Sequence, residues 1–289
     1  MLDQVQYTNN HSLIQFQSCI HTIKPLYKAF ISKNFRRRRN VNHSKLTDVE
    51  VIALLCLQAL LGINARLRFY HFILDNGVIS PNRMPEESRF NRICNRDGVI
   101  LQIIRWQLII RYVYPKYSII DSLPMPLCKY VRNTRATLLN RYANIGFKST
   151  KKMYYYGFKG SFEVSDSGIV LAYTITKASI HDIKMVKTLV DEFPCQHILA
   201  DEGYISKALK ADLAKHGIWF WTPLRSNMKQ YSYDDSLLRR LRRHIETVFS
   251  RLNQLFHIEH NTGRSLNGFQ TRLEQALLVD TLLKLKILN

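Results

Sequence analysis

At Tyr117 the spacing of apolar residues changes, and no other feature constrains the fold as much. Before it, apolar residues recur at helical intervals; after it, short β-branched runs alternate with helical stretches. Tyr117-Ser-Ile-Ile-Asp121-Ser-Leu is closed off by Pro124 and Pro126, which predicts a strand ending near Asp121. Two alternating runs, Tyr155 to Val164 and Ile169 to Thr176, flank Ser165-Asp-Ser-Gly168 and predict a hairpin. A helix over 182–192, a strand His197-Ile-Leu-Ala-Asp201, a helix over 206–215 and a strand over 218–222 follow. Helices over 237–256 and 269–288 close the chain. The order is β-β-β-α-β-α-β-α, an antiparallel opening followed by parallel additions through helical crossovers. In such a mixed sheet the first and fourth strands can be central neighbours, with Asp121 and Asp201 side by side at their ends.

Residues 1–115 form a separate helical part in this reading, and 116–289 the α/β part. Ile14 to Ser32 has helical spacing. Thr47-Asp-Val-Glu50 is a capping box opening an apolar helix that runs through Leu61 and stops at Gly62. Residues 86–113 read as two more helices interrupted near Gly98. Between the first two helices lie Arg36, Arg37, Arg38 and Arg39, candidates for phosphate contact. Short helices with basic links suit a reader of DNA. The charge balance agrees: 42 Lys and Arg against 22 Asp and Glu leave +20. Such an excess points to a polyanionic partner, most simply nucleic acid. A membrane surface is the rival, but no apolar run reaches the ~18 residues of a span, and no signal-peptide pattern opens the chain. Five spread cysteines without a Cys-x-x-Cys pair fit reduced thiols and a cytoplasmic setting.

The helix over 237–256 carries one acid, Glu246, among arginines. Leu238, Leu241, Ile245, Val248, Phe249, Leu252 and Phe256 share one sector, and Glu246 lies on its flank beside Arg239, Arg242 and Asn253. Laid across the sheet, this helix brings Glu246 over Asp121 and Asp201. Three such carboxylates repel by roughly 4 kcal/mol per pair at an effective dielectric of ~20, so something positive must neutralise them. Arg242, four residues before Glu246, is one candidate. A hard divalent cation is the other: the donors are all oxygen, which selects Mg²⁺ or Mn²⁺ over zinc. Two ions roughly 3.5–4 Å apart would serve phosphodiester cleavage or transfer.

Asp121 in IIDSLPMPLCK, Asp201 in ILADEGY and Glu246 in RRHIETVFSRL resemble the three blocks of a DDE transposase. Tyr156-Gly-Phe-Lys159, Ser179-Ile-His181-Asp182, Thr262-Gly-Arg264-Ser265 and Gly268-Phe269 resemble the nine-eight-two family of bacterial insertion sequences. Leu46-Thr-Asp-Val-Glu50 and Arg89-Phe-Asn-Arg92 extend the likeness over nearly the whole chain. The resemblance implies a ribonuclease H-like core and divalent metal held by Asp121, Asp201 and Glu246 as catalytic residues. It further implies cleavage and strand transfer at the element's terminal inverted repeats, in a bacterial, nucleoid-associated setting. Synapsis of two ends implies a homodimer on double-stranded DNA. A related group of transposases has a Tyr-Arg-Glu-Lys pattern around the last acid; here Arg242 fits the Arg place, while Arg239 and Asn253 stand where Tyr and Lys would be.

Other DNA-contact candidates are Arg132, Arg135, Lys151 and Lys152, interleaved with tyrosines, and Arg239, Arg242 and Arg243. Asp166 reads as a turn residue, Asp182 as a helix N-terminal acid, Glu202 as facing away from Asp201, and Trp219 with Trp221 as core. His257-Ile-Glu-His260 lacks further zinc ligands. A tyrosine recombinase is excluded because the last tyrosine, Tyr233, precedes the basic cluster Arg242-Arg243-His244. Two alternatives stay open: a nuclease of the same fold without strand transfer, and a non-catalytic DNA-binding regulator.

Overall fold

In the computed structural model, which describes residues 2–39, 41–148, 152–224 and 236–288, the chain forms two compact units. One comprises Met1–Tyr112 with Leu255–Asn289, the other Val113–Gln254. The sequence predicts a single α/β part over 116–289; in the structure the C-terminal stretch packs with the N-terminal helices instead.

The helical unit contains α1 (Leu2–Phe30), α2 (Lys33–Arg36), α3 (Asp48–Leu60), α4 (Arg66–Asp75), α5 (Glu87–Arg96) and α6 (Gly98–Tyr112). Thr47 and Glu50 form the predicted capping box of α3, and Gly62 follows its last turn with φ 62°. α3 is buried on every side from Val51 to Ala59, which explains its unbroken apolar run. It packs on α1 and on the C-terminal helix α11 (Leu266–Lys284), which is nearly as buried and also lies along α6. The α6–α11 contact is close: a Cβ on Gly98 would overlap Thr271. Fully buried Arg105 of α6 meets Glu274 of α11 through Nε–Oε2 at 2.8 Å and Nη2–Oε1 at 3.3 Å.

The second unit holds β1 (Ser118–Pro126), β2 (Asn144–Lys148), β3 (Met153–Ser165), β4 (Val170–Lys177), α7 (Val186–Glu192), β5 (His197–Ala200), α8 (Lys207–Lys215), β6 (Trp219–Trp221), α9 (Ser236–Arg242) and the start of α10 (His244–Phe256). The sheet order is β2-β3-β1-β5-β6, with β4 also on β3. β1 is antiparallel to β3 and parallel to β5, so the mixed sheet has the predicted central pair. β2 and β4 pair successive halves of β3. Beneath the parallel half, Val186, Leu189 and Val190 of α7 and Leu213 of α8 pack with Ile120, Ile198 and Phe220.

In this unit the structure departs from the sequence-based expectation at four points. β1 does not end at Asp121 but continues to Pro126. Beyond Ile120 it has a strand partner only in β3, and the two prolines fall within that one-sided stretch, where a missing N–H is tolerated. β2 was not foreseen. The helix over 237–256 breaks at Arg243 into α9 and α10. Trp221 is buried as expected, but Trp219 is exposed. No helix of the described residues is long and apolar enough to cross a membrane.

Candidate active site

The parallel ladder places the two aspartates. Its last pair is Ile120 with Ala200, so the next residues, Asp121 and Asp201, leave it side by side. Asp201 then opens the 3₁₀ turn Glu202–Tyr204, whose Tyr204 N–H donates to the Asp201 carbonyl. Glu202 is exposed.

The helix is positioned by its apolar face. Ile245, Val248, Phe249 and Leu252 are buried, as their spacing requires. Phe249 meets Phe162 edge-on at 5.5 Å between ring centroids. Phe162 stands directly opposite Asp121 in the β1–β3 register, and directly paired residues share a face. Glu246, one turn before Phe249, is thereby held above Asp121. Arg251 fixes the helix further along by donating to the Gly168 carbonyl at 2.9 Å.

At the centre sits Arg242. Its Nη1 lies 3.9 Å from Asp121 Oδ2 and 3.9 Å from Asp201 Oδ1, while Nη2 donates to Glu246 Oε1 at 3.2 Å. Three acids remote in sequence thus gather around one guanidinium. Of the two neutralising charges that the sequence offers, Arg242 or a metal, Arg242 occupies the position between the acids in the structure. Among the described residues no three His, Cys, Asp or Glu side chains are close enough together to hold a metal ion. The donor set is nonetheless the oxygen-only one that hard divalent cations select, and it already surrounds a positive group. By chemistry it fits such an ion; by spacing it is drawn around a guanidinium.

Burial pushes the Asp121 carboxyl up to about 7, helped by the negative charges of Asp201 and Asp182; the Ser122 N–H at 2.8 Å and Arg242 oppose this. Asp182 is the contribution that sequence reasoning missed. It begins a 3₁₀ turn, as its helix-start reading implied, but it also bears on Asp121 and pairs with Lys159 at 3.0 Å. Buried Tyr204 lies in the same field, and burial first, then Asp121 and Asp182, hold its phenol well above the usual range. Lys159 and Asp182 both occur in the motifs quoted above, which was the available signal.

The DNA-contact candidates are scattered. Arg132, Arg135, Lys152, Arg239 and Arg243 are exposed, and Lys151 lies outside the described residues. The four-arginine run is not one surface. Arg37 and Arg39 are exposed and Arg36 is half-buried, whereas Arg38 makes a two-pronged pair with Asp48, both contacts 2.6 Å, with Tyr27 donating to the same carboxylate.

A cryo-EM structure of the piggyBac transposase synaptic complex with hairpin DNA is similar at a TM-score of 0.46 and 11% identity, covering 96% of this chain and 74% of that one. No curated protein matches. The family profile described as "Transposase DDE domain" matches residues 114–266, more than half of the sequence and all three acids. The chain therefore belongs to the DDE transposase domain family.

Proposed function

We propose that the protein is a DNA transposase that binds the terminal inverted repeats of an insertion sequence and performs cleavage and strand transfer with Asp121, Asp201 and Glu246. One observation carries this: the three acids of the family's motif converge on a single cationic group at the exit of the β1–β5 ladder. The central β1, antiparallel to one neighbour and parallel to the other, supports a ribonuclease H-like reading of the sheet. The motifs around Lys159, Asp182 and Gly268 support membership of the nine-eight-two family.

Asp121, Asp201 and Glu246 would hold the divalent ions, Mg²⁺ or Mn²⁺, which supply activation of the attacking oxygen and stabilisation of the leaving one. In transfer, a DNA 3′-oxygen attacks a target phosphorus, the bond to the target 3′-oxygen breaks, and that oxygen takes a proton. In hydrolysis, water replaces the attacking 3′-oxygen. Arg242 keeps the acids gathered when no other cation does so, and its guanidinium is suited to a phosphate oxygen near them. Arg37, Arg39, Arg239 and Arg243 offer exposed charges to the DNA backbone.

The test is a joining assay. A duplex carrying the element's end with a free 3′-hydroxyl, incubated with protein, Mg²⁺ and supercoiled plasmid, should become covalently joined to the plasmid. Nicking without joining would support the nuclease instead, and end binding with neither activity would support the regulator.

A further inference from the structure

Between Asp121 and Glu163 the chain contains no acidic residue and eight lysines and arginines. In the structure much of this stretch gathers at one margin of the sheet. β2 is an edge strand paired only with the first residues of β3, beyond the end of β1. Where β1 stops, a side chain takes its place: Asn133, in the 3₁₀ turn Tyr130–Arg135, donates to the Tyr154 carbonyl at 2.8 Å and accepts from the Tyr156 N–H at 3.0 Å. That bridge sets the basic turn, with exposed Arg132 and Arg135, alongside the outer part of β3.

Tyr155 and Tyr156 of β3 are buried, but two other aromatic residues here are displayed. Phe147 and Tyr154 are directly paired across β2 and β3, with ring centroids 5.0 Å apart, and are 51% and 63% exposed. Ile145, two residues before Phe147 on the same strand face, is exposed as well. Gly146 is closed off by the Ala178 backbone and Asn144 is tied to Ser179, but the Ile145 and Phe147 face of this edge strand stays open to solvent, a liability that folds usually suppress. The stretch that carries it supplies Lys129, Arg132, Arg135, Arg141, Lys148 and Lys152 and no acid. A protein partner of ordinary composition would be selected poorly by so uniform a charge. A polyanion that also presents flat π-faces matches both features.

We propose that the Phe147–Tyr154 pair is a stacking platform for unpaired bases of single-stranded DNA, with the surrounding cations holding its backbone. Stacking is open to any base because each has a π-face, and it is denied to a fully paired duplex, whose bases are covered by their neighbours. The proposal rests on DNA being the partner and adds what part of it this surface takes. A staggered cut at a DNA end would expose such unpaired nucleotides.

The full-length protein should be titrated against fluorescein-labelled dT20, rU20 and a 20-base-pair blunt duplex at fixed salt. Tyr154→Ala and Phe147→Ala should each weaken dT20 binding about ten- to a hundredfold and leave the duplex within about twofold. Tyr154→Phe should retain binding, since the ring and not the hydroxyl does the stacking. Both alanine variants lie on an exposed edge, and unchanged thermal unfolding will show that they fold. The stacking platform is overturned if wild type does not bind dT20, if the alanine variants bind it normally, or if dT20 and duplex weaken equally. Clear preference for rU20 overturns the assignment to DNA. Loss of self-association on sedimentation, with dT20 binding unchanged, would make the patch an interface between copies instead. Failure of wild type to bind the duplex, by contrast, strikes at the transposase reading itself.

Discussion

At the scale of single residues the proposed chemistry turns on Asp121 and Arg242. A carboxyl raised to about 7 beside a guanidinium 3.9 Å away is a site whose negative charge is only partly compensated. If Arg242 fills the place a divalent cation would take, Arg242→Met should lower the melting temperature without metal and lower the Mg²⁺ concentration that half-saturates the thermal shift. Unchanged or weaker Mg²⁺ binding would show that Arg242 helps the ion rather than competing with it. Glu163 offers a pH test outside the site. It is fully buried, accepts from the Ser118 hydroxyl at 2.6 Å, and burial raises its carboxyl to about 8 from 4.5. The folded protein therefore holds a proton there that the unfolded chain has released, so stability falls as pH rises from about 4.5 to 8 and flattens above. Glu163→Gln should remove that slope, a difference on the order of a few kcal/mol between pH 5 and pH 9. Parallel curves for the two proteins in urea unfolding would contradict it. Asp121, Asp201 and Glu246 were legible in the sequence because each stood out locally: two acids closing apolar runs, and one acid among arginines. Asp182 was not, because a helix-start acid looks the same whether or not it faces a cluster.

Elements were legible where a period was clean. The β3–β4 hairpin, α7, β5, α8 and the apolar face of α10 follow directly from alternation or helical spacing. β2 escaped because its five residues include Gly146, and their identity as a strand depends on pairing with β3. The break at Arg243 escaped because the apolar sector continues on both sides of it, and the structure offers no side-chain reason for it. The prolines of β1 were read as a stop, although an edge position tolerates them. α6 and α11 give the element-scale test. Glu274→Ala strands a buried Arg105 and should cost about 3–5 kcal/mol. Arg105→Met combined with Glu274→Leu, which removes both charges, should recover most of that loss. A single variant as stable as wild type in chemical denaturation would mean that the pair is not sealed from water.

For the whole molecule, charge and topology make separate statements. The +20 balance concerns partners, not fold, and implies that DNA binding weakens steeply with salt. For duplex, log K should fall by about 0.9 per log unit of salt for each phosphate neutralised. A flat titration by fluorescence anisotropy would remove the electrostatic argument. Replacing Arg37 and Arg39 should weaken binding without changing sequence preference, whereas Arg38→Ala should act mainly on stability through Asp48. The C-terminal helix belongs to the helical unit, against the expectation from sequence, because a helix whose polar residues Thr271, Glu274, Gln275 and Asp280 are buried along with its apolar ones does not reveal which neighbours will cover it. The account rests most heavily on the three gathered acids. Its most direct test is to make Asp121→Asn, Asp201→Asn and Glu246→Gln and measure Mg²⁺-dependent cleavage of end-containing DNA beside binding to the same DNA. Each substitution should abolish cleavage and leave binding intact; retained cleavage in any of the three would contradict the site as drawn.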